Sequence, residues 1–304
     1  MMRRAKRRST TADSTTTRLT KKLIIILGPT AVGKSDFAIG KALEFSSPII
    51  NCDSRQIFRE MNIGVARPDA SQLAAVKHYM IANHSVEEHY TAGLFELEAL
   101  DLLQGLFRDH DTLVMVGGSG FYIDALCNGL DDFPPADLQI REELMRRMEG
   151  EGLESLQNQL KEIDPETYDT IDISNRQRVV RALEVTLATG RKFSSYKTSP
   201  AKERPFEIEK IGLRRDREQL YARIDARVDQ MLAAGLEAEA RSLLPYRNLP
   251  ALNTVGYKEL FDYFDGKYPM EEAVRLIKRN TRHYAKKQMT YWRRDSSIKW
   301  IDLP

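Results

Sequence analysis

The chain of 304 residues is 42% hydrophobic, carries a net charge of +2, and has two cysteines, Cys52 and Cys127, in no paired spacing. Its longest apolar run, residues 23–27, falls far short of the roughly 20 that span a bilayer, so no membrane segment is expected. The cysteines argue for a reducing compartment and against a disulfide scaffold, and histidines 78, 84, 89, 110 and 283 lack the Cys-x-x-Cys partner of a zinc finger.

Residues 1–20 hold Arg3, Arg4, Lys6, Arg7, Arg8 and Arg18 against Asp13, among many Ser and Thr. They read first as a disordered, solvated tail; the sharper readings are an RNA-holding tail or a transit peptide, and a secretory signal is excluded. Folded sequence begins at 23–27, a continuous apolar run typical of a strand buried on both faces. A glycine-bearing turn and a helix over 35–45 follow, then a short buried strand over 48–52 that ends at Asp53. A helical stretch over 94–107 leads to a third strand, 112–116, stopped by Gly117 and Gly118. This alternation predicts an α/β fold of the P-loop type: a doubly wound parallel sheet whose ligands sit at the carboxyl ends of its strands.

The pattern changes at Asp131-Asp-Phe-Pro-Pro-Ala136. Residues 140–189 read as almost wholly helical and Gly190 ends them, which predicts an all-helical insertion over 131–195 within a core of 21–130 and 196–304. A strand over 206–213 returns to the sheet. A long helix over 217–244 follows, with Asp216 as its N-cap and Gln219 three residues on, and a last helix spans 270–294.

Gly28, Pro29, Thr30, Ala31, Val32, Gly33, Lys34 and Ser35 complete the pattern G-x-x-x-x-G-K-[ST] between a predicted strand and a predicted helix. Backbone N–H groups there face an anion, Lys34 reaches its phosphates, and the Ser35 hydroxyl is placed to ligate Mg²⁺. A diphosphate is therefore expected. The third strand ends in Gly117-Gly-Ser-Gly120, without the acid an ATPase presents; the acid at a strand end is Asp53. It is suited to take a proton from a nucleophile, or equally to cap a helix or stand behind a Mg²⁺ ion. Arg223 and Arg227 share one helix face, where ion pairing with Asp225 and Asp229 is the leading reading. Residues 275–294 carry Arg275, Lys278, Arg279, Arg282, Lys286, Lys287, Arg293 and Arg294 with no acid, interleaved with Tyr284, Tyr291 and Trp292. Residues 175–181 repeat the theme, and both segments favour a nucleic-acid backbone over a merely solvated face.

Taken in order, these residues resemble the tRNA dimethylallyltransferases over about 23–300. The P-loop is followed by Asp53-Ser-Arg-Gln-Ile-Phe58, Met61-Asn-Ile-Gly-Val-Ala-Arg-Pro68 and Gly117-Gly-Ser-Gly-Phe-Tyr122. Then come Arg176-Gln-Arg-Val-Val-Arg-Ala-Leu-Glu184, residues 231–239, Val255-Gly-Tyr-Lys258 and Lys286-Lys-Gln-Met-Thr-Tyr-Trp-Arg293. The resemblance implies a Mg²⁺-dependent enzyme whose loop holds dimethylallyl diphosphate rather than ATP. The exocyclic N6 of an adenine just 3′ of the anticodon, position 37 of the tRNA, attacks C1 of the allyl group after flipping into a channel. Asp53 then corresponds to the base on N6, Ser119 to a substrate-contacting position more often Thr, and Arg227 with Lys34 to the diphosphate cations.

The same resemblance assigns tRNA contact to Asp53, Ser54, Arg55, Gln56 and Ser119, to Arg141, and to Gln177, Arg178, Val179, Val180 and Arg181. It adds Asn253, Thr254, Val255, Gly256, Tyr257 and Lys258, and Lys286, Lys287, Gln288, Met289, Thr290, Tyr291, Trp292 and Arg293. The helical insertion becomes the arm on the anticodon stem. Asn253-Thr254 depart from what relatives often carry. The sequence ends soon after Trp300 without the zinc-finger extension of eukaryotic relatives, so a bacterial-type, cytoplasmic, monomeric enzyme is expected. Its rivals are an adenylate isopentenyltransferase, a P-loop small-molecule kinase, and an RNA-binding protein with a relic P-loop.

Overall fold

A computed structural model describes residues 20–131, 133–134, 136–197 and 202–304; the basic head up to residue 19 lies outside them. Strand β1 (Lys22–Leu27) is buried from Leu23 onward, as its Ile-rich run requires. It feeds through the glycine turn into α1 (Lys34–Glu44), and then come β2 (Ile49–Asn51), α2 (Ala70–Ala75) and the two-residue β3 (His78–Tyr79). Helix α3 (Ala92–Leu106) starts where the Thr91 side chain accepts the Leu94 N–H; β4 (Thr112–Val116) and α4 (Gly120–Asn128) follow.

Helices α5 (Leu138–Glu151), α6 (Leu153–Ile163), α7 (Pro165–Thr170) and α8 (Arg176–Thr189) make up the insertion. They bury Leu144, Met148, Leu156, Leu160, Val179, Val180 and Leu183 in a core of their own. Gly190, at φ 69°, stops α8 as the sequence predicts.

Strand β5 (Glu207–Arg214) returns to pair with β1. The Asp216 side chain then accepts the N–H groups of Glu218 and Gln219 and caps α9 (Arg217–Ala233). The single helix expected over 217–244 is in fact two. Gly235, at φ 100°, turns the chain left-handed, and α10 (Leu236–Ser242) leaves in a new direction. Helices α11 (Tyr257–Phe264) and α12 (Met270–Trp292) lead to β6 (Lys299–Asp302).

The six strands are parallel in the order β3-β2-β4-β1-β5-β6. Alternate residues of β1 face opposite layers: Leu23, Ile25 and Leu27 pack with α3 and α4, whereas Ile24 and Ile26 pack with α1 and α9. A further core joins α9–α12 to Ile57, Phe58 and Met61. At the carboxyl end the strands converge, with Cys52 N–H on Val116 O at 2.8 Å and Gly117 N–H on Ile26 O at 3.2 Å. A Cβ on Gly117 would lie 2.5 Å from the Cys52 carbonyl carbon, so glycine there is what lets Asp53 sit beside the P-loop.

Candidate active site

Gly28 takes φ 145°, and a Cβ there would meet Leu213 O at 2.6 Å; only glycine lets the loop start so close to β5. The loop carbonyls then turn outward onto cations. Lys34 Nζ donates to Gly28 O (3.0 Å) and Pro29 O (2.8 Å), Arg215 Nε to Val32 O (2.9 Å), and Arg223 Nε to Ala31 O (2.9 Å). Arg227 donates to Thr30 Oγ1. The first N–H groups of α1 have no acceptors within the helix. They open on a cavity of about 560 Å³ that is lined by Thr30, Lys34, Ser35, Asp53, Arg223 and Arg227 among others.

Arg223 and Arg227 are therefore not the ion-paired face that spacing alone suggests. Asp225 and Asp229 instead hold Arg282 (2.6 Å) and Lys278 (2.6 Å) of α12. Arg215 was not singled out by the sequence. The signal that could have found it is its place just past the carboxyl end of β5, beside the P-loop strand.

Burial, with Arg227 adding to it, pushes the Lys34 ammonium down to about 8. Loss of hydration, with Arg223 adding to it and Asp53 opposing, pushes Arg227 down to about 10. Both cations suit an anionic ligand. The affinity for an organic diphosphate, whose own charge is constant above neutrality, is therefore expected to be full below pH 8. It should decline as the pH rises through about 8 and Lys34 loses its proton. Calorimetric titration from pH 7 to 10 checks this; a flat profile would contradict it. The half-buried Ser35 hydroxyl has no protein partner among the described residues and lines the same cavity, so it suits a Mg²⁺ ion that takes its remaining ligands from phosphate and water.

Asp53 follows β2 and is fixed by its own loop. Its Oδ1 accepts the N–H of Arg55 (2.9 Å) and Gln56 (3.4 Å), while Asn51 Oδ1 receives the Asp53 N–H (3.2 Å). Among the described residues nothing donates to Oδ2. Ser119 Oγ accepts the Ser54 N–H (2.8 Å) and donates to Ser54 Oγ (3.0 Å), tying the 53–56 loop to the start of α4. A second cavity, of about 230 Å³, is also lined by this loop. Its lining includes Ser54, Arg55, Asn253, Thr254, Val255, Gly256 and Tyr284. The two cavities share Thr30, Asp53, Val65, Ala66 and Arg227 as common wall.

The sequence-predicted RNA stretches fall into two groups. Gln177, Arg178, Asn253, Lys258, Lys286, Lys287, Thr290 and Arg293 are exposed; Arg141, Arg181, Thr254, Val255, Met289 and Tyr291 are half-buried. By contrast, the side chains of Val179, Val180, Tyr257, Gln288 and Trp292 point into the interior and offer no face to solvent. Tyr257 donates to Glu239 (2.6 Å), which also accepts the N–H groups of Ile63 (2.8 Å) and Gly64 (2.9 Å) and so braces the loop carrying Val65 and Ala66. Arg141 (3.0 Å) and Arg181 share the buried carboxylate of Glu184. The basic stripe is partly spent: Arg275 and Arg294 pair with Glu272 and Asp124, as Lys278 and Arg282 do with α9.

A loop of the G-x-x-x-x-G-K-[ST] pattern at the carboxyl end of a parallel sheet, with Asp53 in the wall common to two cavities, belongs to an α/β fold of the P-loop type. The IPP transferase family model matches residues 56–295. A tRNA dimethylallyltransferase 2 of Porphyromonas gingivalis is 52% identical over 279 residues, 92% of this chain and 93% of that one. A tRNA dimethylallyltransferase of Cytophaga hutchinsonii is 48% identical over 283 residues, 93% of each. Among solved structures, a tRNA isopentenylpyrophosphate transferase from Bacillus halodurans matches with a TM-score of 0.68 at 34% identity, over 93% of this chain and 90% of that one. A eukaryotic dimethylallyltransferase acting on tRNA gives 0.76 at 25% identity, over 93% and 74%. The chain belongs to the tRNA dimethylallyltransferase family.

Proposed function

We propose that this chain moves the dimethylallyl group of dimethylallyl diphosphate onto N6 of the adenine 3′ of a tRNA anticodon, position 37. The observation that carries the reading is the pair of cavities walled by Thr30, Asp53 and Arg227. The diphosphate occupies the larger, basic cavity on the α1 N–H groups, Lys34 and Arg227. The adenine enters the smaller one past Arg55, Asn253 and Tyr284. Asp53 Oδ2 accepts a proton from N6 as N6 bonds to C1; the C1–O bond breaks and the diphosphate departs with its electron pair. An allylic centre ionises readily once its leaving group is neutralised, so most of the catalysis is electrostatic. A Mg²⁺ ion on the Ser35 hydroxyl would supply further neutralisation when bound. The names of the relatives support a dimethylallyl group as what is transferred and tRNA as its acceptor.

Outside the site, Gln177, Arg178 and the exposed cations of α12 would hold the anticodon stem-loop through its phosphates. One copy of the chain is enough for this reading, which places it in the cytoplasm. No described helix is long and apolar enough to cross a membrane.

Labelled dimethylallyl diphosphate with Mg²⁺ is offered to unmodified tRNA and, in parallel, to AMP. Label is expected in tRNA alone. Label in AMP would favour a free-nucleotide enzyme, and hydrolysis of ATP with no label transferred would favour a kinase.

A further inference from the structure

Gln288 lies on α12 between the exposed Lys287 and the half-buried Met289, yet its own side chain is buried, in line with Ala285 and Trp292. Its amide oxygen accepts the Thr30 N–H at 2.9 Å and its amide nitrogen donates to Gly118 O at 2.9 Å, across 258 and 170 residues of sequence. Each partner leads directly to one half of the site. Thr30 is the P-loop residue whose hydroxyl receives Arg227. Gly118 precedes Ser119, which holds Ser54 next to Asp53. Gln288 is not among the residues that line either cavity, and its side-chain bonds go to Thr30 and Gly118 rather than to Lys34, Arg227 or the α1 N–H groups.

We propose that Gln288 is a positioning residue for the transfer, one amide that fixes the spacing between the diphosphate half and the proton-accepting half of the site. This rests on the function proposed above. Both bonds are neutral, the one to Gly118 buried and the one from Thr30 partly so, and glutamine is the side chain that offers an acceptor and a donor at this reach. Thr30 N–H is thereby withdrawn from phosphate binding, so the loop arrives already shaped. An in-line displacement is sensitive to such spacing, and a misplacement of about 1 Å costs on the order of 10²-fold in rate.

Two variants test this in the full chain. Gln288→Met keeps the volume and removes both bonds. Gln288→Glu restores them only when protonated, since a neutral carboxylic acid accepts through its carbonyl and donates through its hydroxyl. Prenyl transfer to tRNA is measured for wild type and both variants across pH, alongside binding of dimethylallyl diphosphate and of tRNA separately. The expected result for Gln288→Met is a kcat lower by about 10²-fold, with both affinities within about threefold of wild type. For Gln288→Glu, the rate relative to wild type at the same pH should climb as the pH falls.

Wild-type rates in Gln288→Met, affinities that fall in parallel with kcat, or a Gln288→Glu ratio that is flat with pH would each overturn the assignment. Transfer absent from the wild type itself would instead remove the function on which it rests.

Discussion

Asp53→Asn is expected to lower kcat for prenyl transfer to tRNA by about 10²–10⁴-fold, the range a positioned general base supplies. Asparagine keeps the oxygen that accepts the Arg55 and Gln56 N–H groups, so the loop stays in place. What it loses is the ability of the second oxygen, unpartnered among the described residues, to take a proton. Affinities for tRNA and dimethylallyl diphosphate should therefore change little. Single-turnover transfer with prebound substrates isolates the step. A rate within tenfold of wild type would move the base to another group.

Arg227→Gln is expected to cut kcat/KM for dimethylallyl diphosphate by about 10²–10³-fold, as removal of a donor aimed at developing charge does elsewhere. Its effect on the fold should run the other way. Arg227 is held below its ordinary value by lost hydration that Asp53 only partly opposes, and Asp225 and Asp229 on its own helix are engaged by Arg282 and Lys278. Keeping this cation buried therefore costs the fold. Removing it should leave the melting temperature unchanged or raise it while activity falls, a trade expected where binding chemistry is built at the cost of stability. A variant that melts well below wild type would show that Arg227 is chiefly a structural support.

The contrast between what could and could not be read in advance has a physical basis. β1 and β4 announce themselves because strands buried on both faces must be apolar throughout, and the P-loop because phosphate binding fixes its spacing. β3 and β6 do not. His78–Tyr79 and Lys299–Asp302 are edge strands with little or no buried apolar residue, and they form because the neighbouring strand offers them hydrogen bonds. α4 was hidden by the glycines that precede it, whose purpose is close approach rather than termination. Gly235 was passed over within a run of good helix formers, although only its backbone freedom allows the turn.

The site followed the same division. Residue types marked Asp53, Lys34 and Ser35, yet Arg215, Glu239 and the inward aim of Gln288 depend on which way a side chain points. A basic periodicity cannot distinguish Lys286 and Lys287, which face solvent, from Arg282, which is spent on Asp225.

The bond between Thr30 and Gln288 also orders the protein in time. The two residues are 258 positions apart, and at roughly 5–20 residues per second a ribosome needs about 13–50 s to travel from one to the other. During that interval β1, β2 and β4 can already pair, and α5–α8 can close their own core. The loop must wait, half-built, for α12 to emerge. Synthesis interrupted before α12 therefore leaves a fragment with a sheet and an insertion but no finished loop, so the nascent chain gains its chemistry only once Gln288 has emerged.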